Sequence, residues 1–433
     1  MNAALIVIGT VVVFYSLAAK RLSTTLVTGP MVFTAVGVMI GPKALDLVDL
    51  TLSNDDVEFL LNTTLAVVLF VDATHINLTA VRRSWSGPAR LLFVSFPVML
   101  VLGYAIGWAL FPTLGVFAIA AIATILAPTD AALGQAVITN PKVPLGVRQT
   151  LSVESGLNDG LALPVLIAIL AVAQADTAAD PAHVLVDELV KEVGFGLLAG
   201  LGAALLAAGA VWTAKRMSLP ITGIAVSIAS LGALVAAAGT AQAMGGSVLI
   251  AAFVAGLAMA PQIQSFGHEA SAFPEEVVVI LTLLAFVVFG GGILSAEIAS
   301  LNWQVALYAI LSLAVLRPLA VAVGAIGSGA APQTITFIGW FGPRGLASIL
   351  FVAVVARKAP DFEGLATIFS VMTWTVAASI VAHGLTAWPG SNAYARWATD
   401  HPTLIEDGPE HRTLPEDALR PRAVDSLAAE TDG

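Results

Sequence analysis

The sequence contains no cysteine and little charge. Only 11% of its 433 residues are charged, whereas 58% are hydrophobic and the mean hydropathy is +0.91. Without cysteine, disulfide bonds and thiolate metal sites are excluded. So few charged groups exclude an ordinary soluble domain, because the surface of a chain this long would need more of them. The chain also has no run of basic residues, so nucleic acid is not an expected partner.

Long apolar segments take the place of the missing charge. A membrane-spanning helix needs about 20 apolar residues, and the sequence offers about 13 such segments. They lie at about 4–19, 24–40, 57–75, 88–110, 114–137, 147–172, 184–211, 217–239, 246–261, 276–293, 301–325, 332–357 and 363–388. The sequence therefore predicts an all-α polytopic membrane protein with its transmembrane domain at residues 1–390. Residues 391–433 are polar and rich in proline and glutamate, which predicts a disordered cytoplasmic tail.

The distribution of lysine and arginine between the loops predicts the orientation of the chain. Cytoplasmic loops carry an excess of these residues. Loops after odd-numbered segments contain Lys20, Arg21, Arg82, Arg83, Arg90, Lys142, Arg148, Lys215 and Arg216, whereas loops after even-numbered segments contain Lys43, Lys191, Arg357 and Lys358. We therefore predict a multi-pass protein of the cell membrane, with the N-terminus outside and the C-terminus in the cytoplasm.

The two halves of the membrane domain resemble each other. AVGVMIGP at 35–42 resembles VAGLAMAP at 254–261, LAVVLFVDA at 65–73 resembles LAFVVFGGG at 284–292, and LAPTDAAL at 126–133 resembles FGPRGLAS at 341–348. The separation is nearly constant and corresponds to an odd number of segments, which inverts the second copy in the membrane. The sequence therefore predicts two inverted six-helix repeats, an architecture found in many secondary transporters.

Proline falls inside two corresponding segments, at Pro128 in the fifth and Pro343 in the twelfth. Proline removes a backbone hydrogen bond and clashes with the preceding turn, so we expect both helices to be discontinuous and to cross near their breaks. The crossing would bring positive and negative dipole ends together, with Asp130 near the positive ends and Arg344 near the negative ones. Carbonyl oxygens released near Thr129 would then be available as cation ligands.

The sixth segment carries two polar stripes. Ser155 and Asp159 are four residues apart and share one helix face, and Glu154 and Asn158 share a neighbouring face. A charged residue at the centre of a membrane helix costs roughly 2.5–3.5 kcal/mol on insertion scales, so acids retained here are expected to have a use. We predict that Glu154 forms a buried ion pair with Arg344, because an unpaired buried arginine would be costly.

The remaining acids form a candidate cation site. Its oxygen ligands are the carboxylates of Asp130 and Asp159, the hydroxyl of Ser155 and the carbonyl or hydroxyl of Thr129, with Asp72 as a further candidate. Such ligands suit a hard cation, and the same carboxylates can hold a proton instead. If only the loaded forms of the site can cross between two open states, this competition produces cation–proton exchange.

Three of these motifs together resemble a known family. APTD on the fifth segment, ESGLNDG on the sixth and GPRGLAS on the twelfth look like the monovalent cation:proton antiporters, and in particular their electroneutral sodium/proton exchanger branch, NhaP-like. The resemblance implies a homodimer embedded in membrane lipid. It also implies that segments 1–3 and 8–10 form a dimerisation scaffold and segments 4–6 and 11–13 form the moving core.

The resemblance also implies roles for individual residues. It assigns binding of the monovalent cation and the proton to Asp159, Asp130, Ser155 and Thr129, with Asp72 at the edge. It assigns the structural ion pair to Glu154 and Arg344, and Arg317 falls where relatives often keep a basic residue. Asn158, in place of a second adjacent aspartate, implies one proton for one cation. Ala131 and Asp72 depart from the family pattern, where many relatives have proline and glutamate.

Other functions remain open at this point. Potassium in place of sodium is the nearest alternative, because oxygen ligands do not by themselves fix cation size. An intramembrane aspartyl protease would also place two aspartates in apolar segments, but 156–159 reads GLND and lacks the second glycine of such enzymes. A channel is a third possibility, and no nucleotide-binding loop of an ATP-driven pump is found. We expect a transporter that is not an enzyme and needs no cofactor.

Overall fold

The computed structural model describes residues 2–22, 25–48, 55–76, 86–130, 133–138, 140–174, 186 and 190–401, and this part of the chain contains helices and no β-strand. The helices are α1 (Asn2–Leu22), α2 (Gly29–Ile40), α3 (Asp55–His75), α4 (Gly87–Leu110), α5 (Val116–Ile125), α6 (Gln135–Ile138), α7 (Leu145–Gln174), α8 (Val190–Arg216), α9 (Gly223–Met244), α10 (Val248–Phe266), α11 (His268–Leu294), α12 (Trp303–Gly324), α13 (Pro332–Trp340), α14 (Leu346–Lys358) and α15 (Leu365–Asp400). Arg82, Arg83, Ala131 and residues 402–433, on which predictions were made, lie outside the described residues.

Eight of the described helices are long and apolar enough to cross a membrane, namely α4, α7, α8, α9, α10, α11, α12 and α15. Each predicted apolar segment coincides with a described helix, and the fifth and twelfth coincide with the pairs α5–α6 and α13–α14. The predicted class, an all-α polytopic membrane protein, is therefore confirmed. The number of 13 crossings and the inverted repeat remain predictions.

The described residues divide into two compact units, and the first comprises 2–22, 25–48, 55–61, 86–130, 133–138, 140–158 and 282–401. Within it, α15 packs against α5, α12 and α14, so this long helix borders both interrupted segments. Helix α2 packs against the C-terminal turn of α11. There Gly37 faces the Val287 carbonyl and Gly291 so closely that any side chain would overlap with the carbonyl oxygen.

Of the described residues, the second unit comprises 62–76, 159–174, 186 and 190–281. Helices α8, α9 and α10 pack against one another in it. Gly256 of α10 faces the Phe70 carbonyl and Ala73 of α3 in a contact of the same kind as that of Gly37 in the first unit. Gly37 and Gly256 occupy corresponding positions in the two similar stretches 35–42 and 254–261.

The predicted disorder from residue 391 onward is wrong for residues 391–400, which are helical. Helix α15 continues through Pro389 to Asp400. Its last turns are held in place by packing, because Tyr394, Ala395 and Ala398 are buried and the Tyr394 ring stacks on Phe337 with ring centroids 4.0 Å apart. Residues 391–400 were predicted to be disordered because the stretch from residue 391 onward is mostly polar, although Tyr394, Ala395 and Ala398 form a buried apolar face.

Candidate cation-binding site

The fifth segment is interrupted beside Pro128. Helix α5 ends at Ile125, residues 126–130 are buried and non-helical, and the short helix α6 begins at Gln135. A buried carbonyl at a helix end needs a hydrogen-bond donor. The Ile125 carbonyl receives one from the Ser348 hydroxyl of α14, at 2.8 Å.

The twelfth segment is interrupted beside Pro343. Helix α13 ends at Trp340, α14 begins at Leu346, and the five residues between them are buried. The two breaks are in direct contact, because the Asp130 backbone N–H donates to the Pro343 carbonyl at 2.8 Å. The first break thus provides a hydrogen-bond donor for a carbonyl that the second break leaves without a helical partner.

The Asp130 carboxylate lies at the N-terminal end of α14. Its Oδ2 accepts from the Leu346 backbone N–H at 2.6 Å, and its Oδ1 accepts from the Leu133 N–H at 3.3 Å. A negative charge is favourable at the positive end of a helix dipole, and here it also satisfies the first free N–H of the helix. This contact between Asp130 and the start of α14 requires glycine at position 345, because a Cβ there would overlap with Asp130 Oδ2.

Helix α7 brings two polar side chains to the first break. The Ser155 hydroxyl donates to the Thr129 carbonyl at 2.8 Å, and the Asn158 amide donates to Thr129 Oγ1 at 2.8 Å. Thr129, Ser155 and Asn158 are all buried. The structure therefore brings Thr129, Asp130, Ser155 and Asn158 of the predicted site together in the first unit.

A small pocket opens between these groups. Its polar lining comes from Thr129, Asp130 and Ser155, and its apolar lining comes from Val137, Ile138, Leu151, Phe341 and Pro343, with Gly134 completing the wall. Its size corresponds to about one water-sized particle. A dehydrated small cation is of similar size, so the pocket and its oxygen ligands fit a single bound ion.

The predicted ion pair between Glu154 and Arg344 is wrong. Glu154 instead forms a bidentate pair with Arg317 of α12, with Nη1–Oε1 at 2.7 Å and Nη2–Oε2 at 2.9 Å. Both side chains are buried. Arg317 follows a π-helical turn at Ser312–Leu316, and its Nη2 also donates to the Ile338 carbonyl near the end of α13 at 3.3 Å.

Arg344 is fully buried and has no carboxylate partner among the described residues. Its Nη1 donates to the Gly342 carbonyl at 2.8 Å, just beyond the C-terminal end of α13, while Nε and Nη2 have no hydrogen-bond partner. Its backbone N–H donates to the Ser379 hydroxyl of α15 at 2.7 Å. Two guanidinium groups, those of Arg317 and Arg344, thus lie at the negative end of α13, where cations are favoured.

The two other predicted ligands belong to the second unit. Asp159 is buried in α7, one helical turn after Ser155. Asp72 lies in α3 and is partly exposed. Their participation in cation binding remains a prediction.

Four residues at the breaks were missed in the sequence. Ser348 and Gly345 contact the first break directly, and Ser379 and His383 of α15 hold the second one. The signal for Ser379 and His383 was their spacing of four residues, which places them on one helix face, within an apolar segment. That spacing does not reveal which backbone groups they meet, because the contact depends on how α15 packs.

Two discontinuous helices that meet at a buried carboxylate, in a multi-pass helical protein, define a secondary ion transporter. The chain belongs to the sodium/hydrogen exchanger family, since the family profile described as "Sodium/hydrogen exchanger, transmembrane" matches residues 7–389. It is therefore a membrane-spanning cation/proton antiporter. Membership of a transporter family disfavours the protease alternative.

Comparison with known proteins gives a consistent result. The K(+)/H(+) antiporter NhaP of Alkalimonas amylolytica is 25% identical over 98% of this chain and 71% of its own length. A Na(+)/H(+) antiporter of Schizosaccharomyces pombe is 26% identical over 89% of both proteins. The structure of the sodium proton antiporter MjNhaP1 from Methanocaldococcus jannaschii at pH 8 superposes with a TM-score of 0.68, at 20% identity, over 92% of this chain and 97% of that chain. The predicted NhaP-type fold is confirmed by this similarity.

Proposed function

We propose that this protein exchanges sodium, or lithium, for protons across the cell membrane at the pocket between the two breaks. The observation that carries the proposal is the convergence of Thr129, Asp130 and Ser155 on one small buried pocket. All three provide oxygen atoms and none provides sulfur, which favours a hard cation. The family to which the chain belongs supports the same exchange.

Each of these ligands retains the capacity to bind a cation. The Thr129 carbonyl accepts one hydrogen bond from Ser155 and has a second lone pair, and a carboxylate such as that of Asp130 has about four acceptor positions on its two oxygens. Asp159 follows Ser155 by one turn of α7 and completes the set with a second carboxylate. Asp72 contributes at the edge of the site.

Exchange arises because the cation and the proton compete for the same carboxylates. A site that holds neither would carry uncompensated charge into the apolar barrier, which is costly. Only the loaded forms therefore pass between the outward-open and inward-open states. With Asn158 in place of an acid, one proton is exchanged for one monovalent cation, and transport is electroneutral.

The Glu154–Arg317 pair provides the support for this site. It joins α7, which carries Ser155 and Asn158, to α12, and Arg317 extends the connection to α13 through the Ile338 carbonyl. A bidentate pair fixes direction as well as distance. We infer a structural role for this pair, with Arg344 and Asn158 stabilising the two breaks.

The larger arrangement follows the same proposal. Residues 1–390 form two inverted repeats, with a scaffold of segments 1–3 and 8–10 that also forms a homodimer, and a moving core of segments 4–6 and 11–13. The matching close contacts of Gly37 and Gly256 support the repeat. The distribution of lysine and arginine supports an external N-terminus and a cytoplasmic C-terminus.

Potassium is the second candidate for the exchanged cation. It is favoured by one specific observation, because the relative from Alkalimonas amylolytica is named a K(+)/H(+) antiporter and is similar over 98% of this chain. The description of the matching family, sodium/hydrogen exchanger, supports sodium instead.

The proposal is tested in reconstituted vesicles that contain a pH-sensitive dye. Sodium, lithium or potassium is added, with and without a clamped membrane potential. We expect sodium and lithium to produce a dye response whose rate does not depend on the voltage, and we expect Asp159→Asn and Asp130→Asn to abolish it. The control is Asp46→Asn, which removes a carboxylate from an exposed loop at a positive φ that asparagine tolerates.

Each alternative gives a different result. A response to potassium alone supports the second candidate, and a voltage-dependent rate rules out electroneutral exchange. If Asp130→Asn and Asp159→Asn exchange cations as fast as the Asp46→Asn control, the proposed site is wrong.

A further inference from the structure

His383 is a buried titratable residue that no part of the proposed exchange uses. It lies in α15, is 1% exposed, and has its ring 5.3 Å from that of Trp340. A buried imidazole must find partners for both nitrogens. Its partners show what it does for the neighbouring broken helix.

Both ring nitrogens take part in one hydrogen-bond chain. Nε2 lies 2.9 Å from the Trp340 carbonyl oxygen, and Nδ1 lies 3.1 Å from Ser379 Oγ and 3.0 Å from the Ser379 carbonyl oxygen. The Ser379 oxygen in turn accepts from the Arg344 backbone N–H at 2.7 Å. A carbonyl can only accept, so the contact with Trp340 requires a proton on Nε2, and in that neutral tautomer Nδ1 accepts from the Ser379 hydroxyl instead of donating to the Ser379 carbonyl.

The two ends of this chain are the two halves of one missing helical bond. In a continuous helix the carbonyl of residue 340 would accept from the N–H of residue 344, four positions later. Here the helix is interrupted at Pro343, and the chain Trp340 carbonyl, His383, Ser379, Arg344 N–H connects the same two groups through side chains of α15. One turn of the neighbouring helix thus replaces the bond that the break removes.

The position of this bridge matters for the candidate cation site. Pro343 and Leu346, on either side of Arg344, are the residues whose backbone groups hold Asp130. A change in the backbone at Arg344 would therefore move the partners of the Asp130 backbone and carboxylate.

We infer that His383, acting with Ser379, is a positioning residue that holds the break of the twelfth segment open and so fixes the cation site. This inference rests on the proposed location of that site between the two breaks. His383 contacts neither the exchanged cation nor the exchanged proton in this arrangement. It acts through the backbone at Trp340 and Arg344.

The test uses variants that separate the two halves of the bridge. His383→Gln places an amide nitrogen where Nε2 lies and can donate to the Trp340 carbonyl, whereas His383→Asn reaches only as far as Nδ1. Ser379→Ala removes the hydroxyl that links His383 to the Arg344 N–H and changes the side-chain volume little. The matched control is Thr386→Val, at a residue of α15 like His383. It removes the hydrogen bond that the Trp340 indole donates to Thr386 and leaves the backbone bridge intact.

Dye-monitored exchange in vesicles is measured over a range of sodium concentrations at fixed pH. Ser379→Ala leaves the Arg344 N–H unpaired, and His383→Asn leaves the Trp340 carbonyl with only the Gly342 N–H. We expect each variant to weaken the apparent sodium affinity by about tenfold.

His383→Gln keeps the donor to the Trp340 carbonyl but loses the acceptor for Ser379, so it should recover part of the affinity, and Thr386→Val should match the wild type. The double variant His383→Asn with Ser379→Ala should lose no more than either single variant, because both interrupt the same bridge.

Three outcomes overturn the inference. The first is a sodium affinity of His383→Asn and Ser379→Ala equal to that of the wild type. The second is a loss of affinity in Thr386→Val as large as theirs. The third is a double variant in which the two losses add. If the wild type itself shows no exchange with sodium, lithium or potassium, the proposed function fails, and this result is separate from the other three.

Discussion

At the scale of single residues, the two buried arginines near the breaks have different partners. Glu154 takes both of its hydrogen bonds from Arg317, and Arg344 is satisfied only by a backbone carbonyl. A buried ion pair contributes little net stability, but removal of one member leaves a buried charge without compensation. The two arginines should therefore respond differently to substitution.

We expect Arg317→Met to destabilise the protein by about 3–5 kcal/mol, because Glu154 is then left buried and unpaired. The double variant Glu154→Gln with Arg317→Met should recover much of this loss. Arg344→Met, which leaves no carboxylate without its partner, should cost less than Arg317→Met. Thermal unfolding of the purified protein in detergent provides the measurement, and equal losses for Arg317→Met and Arg344→Met would contradict the assignment of the pair.

At the scale of helices, proline alone does not determine where a membrane helix breaks. Pro164, Pro261, Pro274 and Pro389 lie inside continuous helices, in contrast to the prolines of the fifth and twelfth segments. What distinguishes the two breaks is the supply of partners for the released backbone groups. A break can persist in an apolar environment only where such groups are satisfied.

The contact between the two breaks depends on the absence of a side chain at Gly345. In Gly345→Ala the new Cβ would overlap with the carboxylate of Asp130, so Asp130 should lose its contact with the start of α14. We expect a loss of stability of about 1–3 kcal/mol, as for other overpacked sites, together with loss of cation-driven proton exchange in vesicles.

Gly239→Ala is the matched control for this substitution. Gly239 lies in α9 and has open space where a Cβ would be placed. Alanine is favoured over glycine in a helix by about 1 kcal/mol, so this variant should be as stable as the wild type or slightly more stable, with unchanged exchange. If Gly345→Ala is as stable and as active as the wild type, the contact between Asp130 and α14 does not require glycine at position 345.

At the scale of the whole molecule, the predicted orientation can be tested directly because the chain has no cysteine. A single introduced cysteine is then the only thiol available for labelling. Lys43, which follows α2, and Leu219, which follows α8, are both exposed. We expect a membrane-impermeant maleimide to label Lys43→Cys in intact cells and to label Leu219→Cys only after permeabilisation. Labelling in the opposite pattern would reverse the proposed orientation.

The sequence by itself determined the class of the protein, the places where its helices lie and the positions of the two breaks. The class and the helices follow from a local property, the length of apolar runs. The breaks were predicted because two prolines occupy similar positions in the corresponding fifth and twelfth segments. The motifs around Asp130, Ser155 and Asn158 were also recognisable, since the spacing of residues along one helix determines which of them share a face.

Only the tertiary structure decided which charges and polar groups meet. The choice of Arg317 over Arg344 as the partner of Glu154 depends on how α12 packs beside α7, and the roles of Ser379 and His383 depend on the position of α15 beside the second break. The end of α15 at Asp400 likewise depends on the aromatic residues that it meets. Such contacts join residues far apart in the chain, and helical periodicity carries no information about the partner across the interface.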